Sequence, residues 1–166
     1  MKILTYPEPL LRCKAKPVQE ITRELIAGLP EMFQIMYDAR GVGLAATQVG
    51  LDQTFFVVNM TGQPEDELVF INPELLDSEG DILDHEGCLS LPGLEAKVHR
   101  AAFVRVRALD VHGEPFEMEG EGFVARAFQH EMDHLMGTLF IDKIGPAARI
   151  GLKTRLEELE QRFNAR

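Results

Sequence analysis

Tryptophan is absent, and cysteine occurs only twice, as Cys13 and Cys88. Two thiols are too few for a disulfide scaffold, so stability must come from a packed core, which 166 residues can supply. Long apolar runs are lacking as well. No stretch approaches the roughly 18 apolar residues of a membrane-spanning helix. The opening "MKILTYPEPLLR" has a short apolar patch broken by two prolines and no signal-peptide layout. These gaps predict a cytoplasmic protein without a membrane partner. Positive charge is also scarce: 17 Lys and Arg against 27 Asp and Glu leave a formal charge of −10. So acidic a body repels DNA and anionic lipid, and predicts neither as a general partner. The tail is the exception. From Lys143 onward six cations (Lys143, Arg149, Lys153, Arg155, Arg162, Arg166) face three acids (Glu157, Glu158, Glu160). Repeats, low-complexity segments and linkers are missing too, which predicts a single domain over residues 1–166.

Glycine and proline punctuate what is present. In residues 22–39, Leu25, Leu29, Met32, Phe33 and Met36 recur at helical spacing behind Thr22 as a start signal. Pro30 removes a backbone donor there and predicts a kink or a break into two pieces. "GVGLAATQVG" reads as a glycine-rich loop, and "TFFVVNM" and "LVFINPEL" as strands. "DHEGCLSLPG" reads as a turn-rich loop around Cys88 and Leu89. The alternation Phe103 to Arg107, a turn at His112-Gly113 and a return at Pro115–Met118 form a hairpin with one solvated face. Residues 122–136 read as a helix closed by Gly137 in a left-handed cap. The last helix covers about 146–163, with Pro146 as its first residue. The fold class is α+β: short, mostly antiparallel sheets surrounding a central helix, with an N-terminal and a C-terminal helix beside them.

That central helix carries "HEMDH". His130 and His134 lie one turn apart on one face, so both imidazoles can reach one ion. Glu131 sits about a quarter-turn round, near the ion but outside its ligand set, where a carboxylate can take a proton from water. Burying two histidines and a glutamate beside Phe128 and Leu135 is costly unless they share a cation. A third ligand is needed, and several residues are candidates. Glu157 and Glu158 would follow the habit of zinc peptidases, although "RLEELEQRF" reads as a surface helix; His112 and His85 sit in a turn and a polar loop. Cys88 leads, because "EGCLSLPG" sets a lone thiol among glycine, serine and proline, and a thiolate suits a borderline metal. "GVGLAATQ" has no lysine for a phosphate loop. It can instead lend a backbone edge to an extended substrate, with Gln48 as an amide donor to an oxyanion.

Three segments together, "GVGLAATQ" (Gly41–Gln48), "EGCLS" (Glu86–Ser90) and "QHEMDHL" (Gln129–Leu135), resemble in order and spacing the bacterial-type peptide deformylases, a family of iron-dependent metallo-amidases. "ILTYPEPLLR" and "INPEL" extend the likeness over nearly the whole chain. The resemblance implies that Cys88, His130 and His134 bind one Fe²⁺, replaceable by Ni²⁺, Co²⁺ or Zn²⁺. It implies that Glu131 is the general base and acid, that Gln48 and the Leu89 N–H polarise a formyl oxygen, and that Gly43 offers backbone to the peptide. Val42, Phe123, Arg126, Ala127 and the His130 ring would line a methionine pocket. Arg126 and Asp84 stand where apolar residues are common, and Arg126 is expected to snorkel its charge to the rim. Arg100, Glu86 and Gln129 are expected to brace the ligands, with Asp133 projecting from the same helix. The implied reaction is removal of the N-formyl group from the N-terminal methionine of new polypeptides. The implied partners are N-formylmethionyl peptides and the ribosome, reached through the C-terminal helix.

Overall fold

The computed structural model describes residues 1–166. The Thr22 hydroxyl accepts from the Leu25 N–H at 3.1 Å and opens α1, Arg23–Asp38. Leu25, Leu29, Met32, Phe33 and Met36 form its buried stripe. The break anticipated at Pro30 does not occur, and α1 runs through it. Pro30 lies on the exposed side, so the one carbonyl it deprives of a donor belongs to Ile26, itself exposed to water. The loss of about 3 kcal/mol expected for an interior proline is offset by five buried side chains at about 1.5–3 kcal/mol each.

Seven strands follow: β1 Gly43–Ala45, β2 Phe55–Val58, β3 Leu68–Glu79, β4 Ile82–Gly87, β5 Glu95–Arg100, β6 Phe103–Leu109 and β7 Pro115–Glu121. Five make one antiparallel sheet in the order β1-β2-β3-β6-β7, and β4 pairs with β5 as a separate hairpin. The stretch read as a glycine-rich loop is therefore β1 plus a tight 3-10 turn, Ala46–Val49. Leu44 and Ala45 are fully buried and pair with Val57 and Phe56, which recruits the segment into the sheet despite its glycines. The β4–β5 hairpin was also not foreseen. Its signal was the alternation Ala96, Val98, Arg100, all buried, which an arginine at a core position disguises.

Strand β2 is buried on both faces. Phe55 and Val57 pack with the α1 stripe, whereas Phe56 and Val58 pack on the other side. There they meet α2, Gly122–Leu135, through Phe128. Phe56 and Phe70 stack at 4.7 Å between centroids, and Phe128 closes on Phe70 at 5.1 Å. Helix α2 ends at Gly137, whose φ of +74° matches the expected left-handed cap. The final helix, α3 Pro146–Asn164, lays Leu156 and Leu159 against Val98 of the hairpin and Phe140. Helix α2 thus stands between the main sheet and the hairpin, with one face for each.

Candidate metal centre and active site

The face of α2 turned from the sheet carries His130 and His134, and the chain leaving β4 brings Cys88 to them. His134 Nε2 lies 3.2 Å from Cys88 Sγ and 3.2 Å from His130 Nε2. Ligand atoms of the three residues all fall within 4.8 Å of one another. Donors held roughly 2.0–2.3 Å from one tetrahedral ion would be spaced by roughly 3.3–3.6 Å. The residues present therefore fit a single divalent ion, and one sulfur with two imidazoles suits a borderline transition metal.

His130 is aimed by what lies behind it. Its Nδ1 donates to Glu86 Oε2 at 2.7 Å, which frees Nε2 as a lone pair facing the trio. Arg100 grips Glu86 with two bonds, Nε to Oε1 at 3.0 Å and Nη2 to Oε2 at 2.7 Å. Arg126 Nη1 adds a third at 3.1 Å. Burial alone would raise the Glu86 carboxyl, but the hydrogen bonds from His130 and Arg100 hold it down at about 2. Arg100 continues to Asp133 at 2.5 Å, and Lys143 reaches Asp133 at 3.6 Å, so a chain of charges links the surface to the His130 ring.

Glu131 is 96% buried, since only 4% of it is exposed, and its Oε2 has no hydrogen-bond partner. His134 Nδ1 is likewise unpartnered, so two of the four orphaned buried side-chain atoms in the molecule sit here. Such an atom normally costs about 1–3 kcal/mol, which marks the place where the chain is left unsatisfied in favour of something it binds. Burial pushes the Glu131 carboxyl up to about 7, against the pull of His130. Burial also opposes charge on His130, but the Cys88 and Glu86 contacts outweigh it and raise that ring; burial and the neighbouring His130 lower His134.

Opposite α2, Gln48 projects from the 3-10 turn. Its Oε1 accepts from the Ala45 N–H at 2.9 Å, which fixes the flip of the amide and turns Nε2 toward Ser90 Oγ (3.1 Å) and Cys88 Sγ (3.6 Å). The Leu89 N–H, beside the sulfur, has no partner in the protein. Gly43 lies against Glu131. A Cβ there would stand 3.0 Å from both Cγ and Oε1 of the carboxylate, so glycine lets backbone and acid meet. A cavity of about 360 Å³ opens over these groups.

The match to known proteins is direct. The family model described as polypeptide deformylase covers residues 1–149. Peptide deformylase 1 of Shewanella oneidensis is 46% identical over 158 residues, 95% of this chain and 94% of that protein. The peptide deformylase of Tolumonas auensis is 45% identical over 159 residues, 96% and 95% of the two chains. Among solved structures, a peptide deformylase from Legionella pneumophila superposes with a TM-score of 0.91 at 44% identity, covering 99% of this chain and 97% of its own. One from Plasmodium falciparum gives 0.94 at 37% identity, with 99% and 98% covered. The chain belongs to the polypeptide deformylase family. It is a metal-dependent hydrolase with an α+β fold.

Most residues singled out in the sequence converge on one place. Cys88, His130 and His134 meet, and Gln48, Leu89, Gly43 and Glu131 surround them. Val42 and Ala127 line the cavity, and Phe123, 62% exposed, stands at its rim. The rival third ligands are elsewhere. Glu157 and Glu158 pair with Lys153 and Arg155 on the outside of α3, and His112 is exposed in a turn. His85 borders the cavity but turns to Glu95 at 3.2 Å.

Two expectations need correction, those for Arg126 and Gln129. Arg126 does not snorkel: it is 5% exposed and turns inward to Glu86, Val98 O and Ile82 O, because three acceptors beneath it outbid water. Asp84 is exposed and accepts from the His85 N–H, outside the cavity. Gln129 touches no ligand; its amide bonds to Ala101 and Ala125 and fastens α2 to the link before β6. Sequence reasoning missed Ser90, fully buried on the Gln48 amide. Its only signal was a hydroxyl two residues beyond the thiol.

Proposed function

We propose that this chain hydrolyses the N-formyl group from the N-terminal methionine of newly synthesised polypeptides, releasing formate and a free amine. The observation that carries the reading is Glu131: a buried carboxylate with a free oxygen, set beside a Cys-His-His trio and across from the Gln48 amide. Cys88, His130 and His134 would hold one ion per chain, Fe²⁺ by preference with Ni²⁺, Co²⁺ or Zn²⁺ able to replace it, and that ion would supply Lewis acidity for the hydrolysis. Glu131 Oε2 takes the proton of the attacking water and returns it to the leaving amine nitrogen. A carboxyl raised to about 7 is suited to both transfers near neutral pH. Gln48 Nε2 and the Leu89 N–H donate to the oxyanion that forms at the formyl carbon.

The methionine side chain enters between Val42, Phe123 and Ala127, with Arg126 and the His130 ring behind, while Gly43 presents backbone to the peptide. We place the reaction in the cytoplasm, as an early step of N-terminal processing in protein biosynthesis. The ribosome is the second partner on this reading, met at the exposed side of α3 around Lys153 and Arg162; cosedimentation at low salt, lost on reversing both charges, is its check.

The deciding measurement is formate release from formyl-Met-Ala-Ser under anaerobic Fe²⁺, with metal analysis of the same sample. Formate with about one ion per chain is expected. Cleavage of an internal bond in an unformylated peptide, without formate release, would overturn the reading.

A further inference from the structure

Arg40 lines the mouth of the active cavity, is exposed to solvent and forms no ion pair. The other charged side chains bordering that cavity are spent. His85 faces Glu95, Glu86 is shared by Arg100, Arg126 and His130, and Glu131 lies buried next to His130. One unpaired guanidinium therefore sets the local charge at the entrance of a protein whose formal charge is −10.

Its backbone gives a second, independent observation. Ala39 caps α1 and Arg40 follows at φ 58°. The Arg40 N–H donates to Tyr37 O and the Gly41 N–H to Met36 O, both at 2.9 Å, the two bonds of a Schellman helix end. The left-handed position of that motif is normally glycine, since a Cβ is strained there. A cation does suit the negative end of a helix, but one in the last turn would do so without strain. A strained arginine, exposed, unpaired and bordering the active cavity, points to a ligand outside the chain.

Resting on the deformylase reading, we propose that Arg40 is a specificity-determining residue that favours substrates with an acidic side chain in the first two positions after the methionine. The formyl end lies at Glu131 and Gln48, and the methionine at Val42, two residues beyond Arg40. The peptide running out of the mouth then passes the guanidinium. The net charge of the body would favour lysine in those positions, so a preference for glutamate has to arise locally.

The test compares kcat/KM for amidated formyl-Met tripeptides with Glu, Gln or Lys at the second or at the third position. The Fe²⁺-loaded parent, Arg40→Gly, Arg40→Lys and Arg40→Glu are the enzymes. In at least one series the parent should prefer Glu over Lys by about fivefold at low salt, shrinking as screening rises toward molar salt. Arg40→Lys should keep the preference, Arg40→Gly lose it and Arg40→Glu reverse it. Glycine is the residue this helix end favours, so Arg40→Gly should keep or raise Tm, which separates loss of preference from loss of fold. A parent ratio near one in both series, or a parent ratio retained in Arg40→Gly, overturns the proposal and leaves the deformylase reading standing. No formate from the Gln peptides overturns both.

Discussion

Glu86 accepts from Arg100, Arg126 and the His130 ring, so one carboxylate sets both the tautomer and the angle of a candidate ligand. That role could be half read from sequence. Glu86 and Arg100 were recognisable as company for the histidines, but the inward turn of Arg126 depends on two carbonyls, Ile82 and Val98, that only the hairpin brings beneath α2. The trio itself was legible because two of its members share a helix period, whereas Cys88 could be preferred over other residues but not fixed. Two outcomes follow for single residues. Glu131→Ala should retain the metal, since its carboxylate is outside the donor set, and lose at least about 10³-fold in kcat as the proton acceptor disappears. Metal analysis with single-turnover kinetics reads both halves, and turnover within about tenfold of the parent would remove Glu131 as base. Cys88→Ala should instead lose the ion, because two imidazoles alone leave a tetrahedral site half made; unchanged metal content by elemental analysis would contradict it.

The helices were the elements most open to sequence reading. α1 carries a long apolar period, and two helices announce their ends chemically, α1 with Thr22 and α2 with Gly137. Strands fared less well where burial is two-sided or masked. β1 hides among glycines, and β5 carries a buried arginine on the face that would otherwise betray it by hydrophobicity. Pro30 misled for a local reason: its exposed position lets the helix absorb one missing bond. Gly137 is the element terminus with least tolerance. A Cβ there would sit 2.6 Å from Arg12 O, on backbone that cannot swing away, and would also have to adopt φ +74°. Gly137→Ala should therefore destabilise by about 2–3 kcal/mol, lowering Tm by about 5–10 °C in thermal melts. A shift under about 1 °C would mean the turn after α2 can move.

Taken whole, the molecule has a sheet sandwiched by α1 and α2, and a hairpin held to α3 by its own apolar cluster. The candidate donors come from both parts: His130 and His134 from α2, Cys88 from the end of the hairpin. An ion among them therefore joins the two parts in addition to the Glu86 network. Stripping the ion by chelation should stabilise nothing and loosen the hairpin first, seen as faster amide exchange over residues 82–100 than over β2 or β3. Equal exchange with and without the ion would show that the arginine network alone is sufficient.

The sulfur at that junction also has consequences for how long each copy survives. A thiol that has been oxidised past sulfenic acid no longer grips a divalent ion, and the damage is not reversed by ordinary reductants. Each oxidative hit at Cys88 would then silence the molecule and unlatch its hairpin together, offering proteases an opened strand at the moment the copy becomes useless.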